Sequence, residues 1–267
     1  MTQSSAPHAD IGVFGGSGFY SLFKDAQAVW IDTPYGAPSS KITIADVGGK
    51  KVAFLPRHGA DHCYPPHRVP YRANLWAMKT LGVRKILAPC AVGSLQPHLK
   101  PGSFVICDQF VDRTSGRECT FYDGPKVVHL SAADPYCPHL RSQTLAVAQE
   151  MGLDVHGDGT MVVIQGPRFS TRAESKWFTS MGWSVVGMTG VPECILAREL
   201  EMCYVNISLI TDYDVGTEGL VEPVTMDEVA RVFAENTQKV KDLIISLCER
   251  LDVHEDCSCL HALSGSH

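Results

Sequence analysis

The sequence predicts a single α/β domain, a mixed β-sheet flanked by helices on both faces. Short apolar runs that suit buried strands alternate with segments of helical periodicity, as in a mainly parallel sheet covered on both faces. Two early strands flank the glycine pair at 48–49 and predict a β-hairpin, which makes the sheet mixed. No linker or internal repeat divides the 267 residues, a length that suits one large domain.

Each element is predicted from local periodicity. Short apolar runs predict strands at 11–14, 41–46, 51–55, 85–90, 104–111, 161–164, 183–188 and 203–210. Helical spacing of apolar residues predicts helices at 74–81, 143–151, 173–181, 193–202 and 225–251. Residues 1–10 are polar, and we predict a disordered leader there. An irregular, cysteine-containing tail is predicted at 252–267, which leaves 11–251 as the folded domain.

Composition excludes several classes of function. The formal net charge is −6 without a long basic run, which argues against a nucleic-acid-binding protein. No apolar stretch approaches the roughly 20 residues of a membrane span. The N-terminus lacks the apolar region of a signal peptide, so we expect a cytoplasmic protein. Its ten cysteines are therefore expected to be reduced, and most stand in apolar contexts typical of core residues.

Polar clusters follow the predicted strands. The residues that come directly after an apolar run are Ser17, Arg57, His58, Cys90, Ala91, Phe169, Thr189 and Asp212. In open α/β sheets, ligands bind outside the carboxyl ends of the strands. We therefore expect these residues, which come from six strand ends, to form a single site.

The residue types indicate a ligand that combines a flat ring with a phosphate or a sugar. Backbone N–H groups of the glycine-rich segment at 15–18 can surround an anion, and Arg57 with His58 can clamp phosphate. The loop at 164–175 presents Phe169 beside two arginines and three hydroxyls. Asp212 and Asp214 end a very apolar strand, where burial would raise a carboxyl pKa and allow proton donation.

Each cluster also has a simpler interpretation when taken alone. The glycine segment can be a tight turn, Arg57 a surface residue beside a satisfied histidine, and Asp212 part of an Asx turn. The loop at 164–175 can be a plain strand-to-helix connection. In the tail, Cys257 and Cys259 could bind metal, but their C-x-C spacing is tighter than that of zinc knuckles. We therefore predict no metal site there, but a thiol pair or a tail without a role.

Taken together, the clusters resemble the methylthioadenosine phosphorylase branch of the trimeric purine nucleoside phosphorylase family. The matching motifs, in family order, are GGSG at 15–18, DTPYG at 32–36, RHG at 57–59, AVGSL at 91–95, DQFVDRT at 108–114, FYDG at 121–124, GPRFS at 166–170, RAES at 172–175, MTGVPE at 188–193 and TDYD at 211–214. The resemblance implies a nucleoside phosphorylase-like fold. It also implies a pentosyltransferase of purine and methionine salvage that cleaves 5′-deoxy-5′-methylthioadenosine with inorganic phosphate, without a cofactor.

The resemblance also implies roles for individual residues. Phosphate would contact Ser17, Arg57, His58, Cys90, Ala91 and Thr189. The nucleoside would contact Phe169, Ser170, Met188 and Val221, and His129 would reach the 5′ pocket of a neighbouring subunit in a homotrimer. The catalytic groups would be Asp212, Asp214 and His58, with Asp212 at purine N7 and the 6-amino group. Val215 and Leu220 are further candidates for the apolar 5′ wall.

Two positions depart from the commonest family pattern, and both departures can shift the affinity for substrates. Cys90 stands where many relatives carry threonine, and Gln165 stands where some carry glutamate. The cysteines of the tail resemble those of archaeal relatives with intrasubunit disulfides, and Cys137 and Cys203 resemble one such pair.

Three alternative functions compete with this interpretation at the level of sequence, and the residues argue against the second and the third. The first is the same reaction on 6-oxopurine nucleosides, which would call for an amide-type residue in place of Asp212. The second is a nicotinamide-dependent oxidoreductase, although the glycine spacing is wrong and no acidic residue ends a second strand. The third is a non-catalytic redox or metal protein, which would leave the strand-end clusters unexplained.

Overall fold

One mixed sheet organises the protein in a computed structural model that describes residues 7–15, 26–215 and 224–264. Its strands are β1 Ile11–Gly15, β2 Gln27–Val29, β3 Ile42–Val47, β4 Lys50–Pro56, β5 Lys85–Ser94, β6 Phe104–Val105, β7 Gln109–Arg113, β8 Val155–His156, β9 Thr160–Ile164, β10 Val185–Gly187 and β11 Cys203–Asp212. Its helices are α1 Tyr71–Thr80, α2 Pro138–Glu150, α3 Arg172–Ser180, α4 Gly190–Glu199 and α5 Met226–Arg250. Short 3-10 helices lie at Pro66–Arg68 and Ser258–His261.

The sheet branches at β5. The first half of β5 pairs in parallel with β1 on one side and β11 on the other. Its last two residues, Gly93 and Ser94, pair antiparallel with β10, which leads on to β9 and β7. The predicted hairpin of β3 and β4 is present and pairs in parallel with β1 through β4. The predicted mixed α/β fold is therefore confirmed.

Two apolar layers cover the sheet, and alternate residues of β11 enter opposite layers. Tyr204 and Ile210 join the layer that holds α1 and α4. Val205, Ile207 and Leu209 join the layer that holds α2 and α5. Because side chains alternate across a strand, a strand buried on both faces is largely apolar, and β11 departs from this at the buried polar residues Asn206 and Ser208.

The prediction of one strand at 104–111 is wrong, because the structure divides this segment into β6 and β7. β6 pairs with β11 and β8, whereas β7 pairs with β9. Between them, Arg141 donates from Nε to the carbonyl oxygen of Cys107 at 2.8 Å and from Nη2 to that of Ile106 at 3.2 Å. A side chain thus binds the carbonyl oxygens at the break, and the continuous apolar run does not reveal it.

Other boundaries also differ from the prediction. The short strands β2 and β8 are additional, and β5 continues to Ser94, so Cys90 and Ala91 lie within a strand. The predicted leader is ordered at its end, because Ala9 is fully buried and its N–H donates to the carbonyl oxygen of Leu81 at 2.8 Å. The tail contains the 3-10 helix Ser258–His261 and buries Val253.

The cysteines correct one further expectation. All ten lie in the described part of the chain and are free, so the disulfide implied between Cys137 and Cys203 is not formed. No helix among the described residues is long and apolar enough to cross a membrane.

Candidate active site

A cavity of about 480 Å³ opens at the carboxyl edge of the branched sheet. Its walls come from the ends of β1, β4, β10 and β11, from the middle of β5, and from the first turns of α5. The predicted site residues that line it are Arg57, His58, Cys90, Ala91, Phe169, Ser170, Met188, Thr189, Asp212 and Asp214. Seven of the eight residues expected to meet from strand ends therefore line one cavity, although Cys90 and Ala91 come from within β5 and not from its end.

Three predicted site residues are not in this set. Ser17 and Val221 lie outside the described residues. His129 is exposed and does not line the cavity. The two loop arginines also lie away from the cavity, because Arg168 pairs with both carboxylate oxygens of Glu174 and Arg172 is exposed. Of the predicted loop cluster, Phe169 and Ser170 reach the cavity.

Arg57 is held by a buried carboxylate that the sequence analysis missed. Its Nε donates to Glu193 Oε2 at 2.7 Å, and its Nη2 donates to Glu193 Oε1 at 2.8 Å. Glu193 is fully buried, and the Tyr204 hydroxyl also donates to its Oε1 at 2.7 Å. Burial alone would lower the pKa of Arg57, but the charge and hydrogen bonds of Glu193 outweigh it and raise the pKa. The cavity therefore keeps a permanent, fixed positive charge.

His58 is uncharged in the free cavity. Burial is the main cause that lowers its pKa to about 4, and the charge of Arg57 adds to the effect. Its Nδ1 lies 2.8 Å from the carbonyl oxygen of Tyr64, which makes Nδ1 the protonated nitrogen and leaves Nε2 free to accept. The ring stacks on His62 with centroids 4.4 Å apart. An anion that binds here would raise the pKa of His58 and recruit a proton to Nε2.

The β5 segment beneath the cavity carries a neutral thiol. Burial raises the pKa of Cys90, whose Sγ accepts a hydrogen bond from Asn206 Nδ2 at 3.3 Å and lies 3.7 Å from Ser208 Oγ. Thr189, which also lines the cavity, is the N-cap residue of α4, but its side chain makes no capping hydrogen bond. The Thr189 hydroxyl is thus available to a ligand.

Asp212 is fixed through both carboxylate oxygens. Oδ1 accepts from the backbone N–H of Asp214 at 2.8 Å, and Oδ2 accepts from the Thr211 hydroxyl at 2.8 Å. The carboxylate approaches β5 closely, since a Cβ at Gly93 would stand 2.9 Å from Oδ1. Burial raises the pKa of Asp212 to about 6, despite these two hydrogen bonds. This side chain can therefore hold a proton close to neutral pH.

Asp214 adds a second buried carboxyl group beside the first. Burial raises its pKa, and the nearby Ser175 and Ser170 hydroxyls offset part of that rise. The two hydroxyls lie close enough to the carboxylate to lower its pKa, but within the described residues Asp214 Oδ2, Ser170 Oγ and Ser175 Oγ are buried and have no hydrogen-bond partner of normal geometry. Buried polar atoms without partners are rare in native proteins. Asp214 and Ser170 line the cavity, so a bound ligand can satisfy them.

The first turns of α5 form an apolar wall that sequence analysis assigned only to a helix. The side chains are Met226, Val229, Ala230 and Phe233, at the i, i+3, i+4 and i+7 positions of one helical face. Such a stripe normally packs on a core, and the sequence does not distinguish a stripe that faces a cavity. The exposure of Met226, 62%, shows that this part of α5 is incompletely covered.

The raised pKa of Asp212 predicts a pH-dependent stability. Because the folded pKa of about 6 exceeds the ordinary 3.8, stability from this group is fully present below 3.8 and is lost as pH rises through 6. We compare the free energy of unfolding of Asp212→Asn with that of the parent protein. We expect this difference to shift in favour of the variant by up to about 3 kcal/mol between acid and neutral pH. Urea unfolding across this range measures it, with exposed Asp242→Asn as the matched control. A difference in unfolding free energy between variant and parent that stays constant with pH would contradict the raised pKa of Asp212.

The fold and the cavity define an α/β protein with a small-molecule site at the carboxyl edge of its sheet. The model of the phosphorylase superfamily matches residues 10–248 of the sequence. The chain belongs to the phosphorylase superfamily, and this membership argues against the oxidoreductase alternative.

Three relatives illustrate the similarity. The S-methyl-5′-thioadenosine phosphorylase of Pyrococcus abyssi is 53% identical, over 95% of this chain and 97% of that protein. The purine nucleoside phosphorylase of Streptomyces coelicolor is 50% identical, over 96% of this chain and 95% of that protein. The solved structure of methylthioadenosine phosphorylase from Schistosoma mansoni in complex with adenine has a TM-score of 0.88 and 36% identity, over 98% of this chain and 99% of that one.

Proposed function

We propose that this protein is a pentosyltransferase that cleaves 5′-deoxy-5′-methylthioadenosine with inorganic phosphate, giving adenine and 5-methylthioribose 1-phosphate. The observation that carries the proposal is a single cavity that combines a fixed cation, a buried carboxyl group and an apolar wall. Phosphate, purine and methylthio group each find a matching region there. The similarity to relatives named for this activity supports the same substrate.

Phosphate is assigned to the end of the cavity at Arg57. The guanidinium has five N–H donors, and its bonds to Glu193 and to the carbonyl oxygen of Pro89 use three of them. Two N–H groups remain for phosphate oxygens, together with the Thr189 hydroxyl and the backbone beside Ala91. His58 would bind phosphate through Nε2 and share its proton. Ser17, outside the described residues, remains a proposed donor from the glycine segment.

The purine is assigned to the part of the cavity that Asp212 and Asp214 line. Protonated Asp212 can donate to N7, and the buried Oδ2 of Asp214, which has no partner among the described residues, can accept from the 6-amino group. Phe169, Ser170 and Met188 also line the cavity and are assigned to the base and the ribose. A carboxylate acceptor at the 6-position favours adenine over a 6-oxopurine.

Cleavage of the glycosidic bond separates charge, and the cavity places compensating groups at both ends. Negative charge develops on the purine, where the proton of Asp212 neutralises N7. Positive charge develops on the ribose, where the phosphate held by Arg57 stabilises it and then forms the new bond to C1′. The protein therefore contributes positioning and preorganised charge, and we propose that the reaction needs no cofactor.

The 5′-methylthio group is assigned to the apolar stripe of α5. Phe233 and Val229 offer contacts to a thioether, and they offer no hydrogen bond to a 5′-hydroxyl. His129, exposed in this chain, keeps its proposed role at the 5′ pocket of a neighbouring subunit in a homotrimer. Val221 remains a proposed part of the wall, and the cytoplasmic location remains a prediction.

The alternative is phosphorolysis of 6-oxopurine nucleosides, because one close relative is named a purine nucleoside phosphorylase. The test is kcat/KM for base release from methylthioadenosine, methylthioinosine, adenosine and inosine in parallel. We expect methylthioadenosine to be the best substrate. A preference for inosine or methylthioinosine would overturn the assignment of Asp212 and Asp214. A preference for adenosine would overturn the assignment of the 5′-methylthio group to the α5 stripe.

The thiol at position 90 predicts a gain of phosphate affinity on substitution. Cys90→Thr introduces a hydroxyl donor beside Ala91, and one net hydrogen bond of about 1 kcal/mol corresponds to a KM for phosphate roughly fivefold lower. Cys90→Val has the same shape without a donor and serves as the control, with thermal stability measured alongside. Equal KM values for the two variants would show that position 90 does not contact phosphate.

A further inference from the structure

Four cysteines gather at one point outside the cavity. The Sγ atoms of Cys137, Cys203, Cys257 and Cys259 all lie within 4.8 Å of one another. Three of these residues are buried, the fourth is half-buried, and none lines the cavity. From this arrangement we propose that Cys137, Cys203, Cys257 and Cys259 form a tetrahedral zinc site that fastens the C-terminal tail to the folded domain.

The spacing of the sulfur atoms fits one zinc ion. A Zn–S distance of about 2.3 Å places the sulfur atoms of a tetrahedral site about 3.8 Å apart. The Sγ atoms of Cys137 and Cys257 are 3.5 Å apart. They are separate, non-bonded thiols, since a disulfide requires about 2.0 Å. Four thiolate ligands would fill the coordination sphere of one zinc ion and leave no open position, as in a structural zinc site.

The fold brings the four ligands together from three separate segments. Cys137 is the N-cap residue of α2, and Cys203 is the first residue of β11. The backbone N–H of Cys137 donates to the carbonyl oxygen of Tyr204 at 2.9 Å, which ties these two segments together. Cys257 and Cys259 come from the tail, at the 3-10 helix Ser258–His261. The short C-x-C spacing is therefore only half of the site, which explains why the sequence pattern alone predicted no metal.

The surroundings suit bound thiolates. The backbone N–H of Leu140 donates to Cys137 Sγ at 3.4 Å, in the first turn of α2, where the helix dipole favours negative charge. Arg198 donates from Nη1 to Cys259 Sγ at 3.7 Å and offsets part of the net charge of a zinc ion with four thiolates. Donors of this kind orient metal-bound sulfur atoms.

The proposed site completes the docking of the tail. Glu255 lies 2.7 Å from His139 Nε2 on α2 and 3.7 Å from the buried Lys85 Nζ at the start of β5. Val253 and Cys259 are buried in the layer that holds α2 and α5. Loss of the zinc ion would leave four thiols in contact and release this segment. We therefore expect a structural effect on the tail and the layer beneath it.

The first test is the metal content of protein purified without chelators or an affinity tag that binds metal. We expect about one zinc ion per chain by mass spectrometry and its release on thiol modification. Protein stripped of metal and loaded with cobalt(II) is expected to show the absorption bands of a tetrahedral thiolate site. Iron in place of zinc, or a stripped protein that binds neither zinc nor cobalt, would overturn the proposal.

Thiol titration and variants complete the test. Denatured protein without reductant should yield all ten thiols once the metal is chelated. A lower count, with disulfides found among the four by peptide mapping, would overturn the proposal in favour of covalent pairs. Cys257→Ser with Cys259→Ser should abolish metal binding, and exposed Cys63→Ser with Cys119→Ser should retain it. If the tail variant does not fold, the metal content and cobalt spectrum of the parent protein decide.

Discussion

Asp212→Asn is expected to lower kcat/KM for methylthioadenosine by about 10²–10⁴-fold, the usual contribution of a positioned general acid. The amide retains the shape of the carboxyl group but cannot transfer a proton to N7 of the leaving adenine. For 6-oxopurine nucleosides, kcat/KM of the same variant is expected to rise relative to the parent, because an amide can donate to a 6-oxo group. Initial rates with the four nucleosides measure both effects.

Two controls separate chemistry from folding. Asp242→Asn makes the same carboxyl-to-amide change on the exposed surface of α5 and should leave kinetics unchanged. Urea unfolding of Asp212→Asn should show a folded protein, since removal of a buried, raised-pKa carboxyl group does not destabilise at neutral pH. Methylthioadenosine activity within a fewfold of the parent would remove Asp212 from the mechanism.

Glu193→Ala is expected to destabilise the protein by about 3–5 kcal/mol, because it leaves Arg57 as an unpaired buried cation. The side chain contacts no proposed substrate atom, yet it sets the orientation of the guanidinium through two hydrogen bonds. We also expect kcat/KM for phosphate to fall on the order of 10²-fold from this misplacement. The effect should appear chiefly in KM for phosphate and leave KM for the nucleoside nearly unchanged.

A triple variant separates the two roles of this ion pair. Arg57→Met, Glu193→Leu and Tyr204→Phe together remove both charges and the hydroxyl that donates to Glu193. Replacement of a buried ion pair by apolar side chains is often neutral for stability, so we expect the triple variant to recover stability but not activity. Recovery of both would show that Arg57 serves only the fold.

The fold was predictable wherever burial leaves a simple pattern. The strands β1, β3, β4 and β11 are rich in buried apolar residues, and their positions follow directly from the sequence. The break between β6 and β7 depends on Arg141, a residue more than thirty positions away from the carbonyls it contacts. No local pattern carries that information.

The candidate site was predictable at the strand ends and missed elsewhere. Asp212 and Arg57 stand out because charged residues directly follow apolar runs. Glu193 lies in a helical segment and resembles an ordinary first-turn acid, so its pairing with Arg57 appears only in three dimensions. The α5 stripe and the four-cysteine cluster were missed for a similar reason, since spacing along one segment does not reveal what faces it.

The most direct measurement is the fate of methylthioadenosine with and without phosphate, with products identified by mass spectrometry. We expect adenine and 5-methylthioribose 1-phosphate in equal amounts, and neither product when phosphate is omitted. Adenine released equally without phosphate, together with free methylthioribose, would identify a hydrolase and contradict the assignment of phosphate to Arg57, His58 and Thr189.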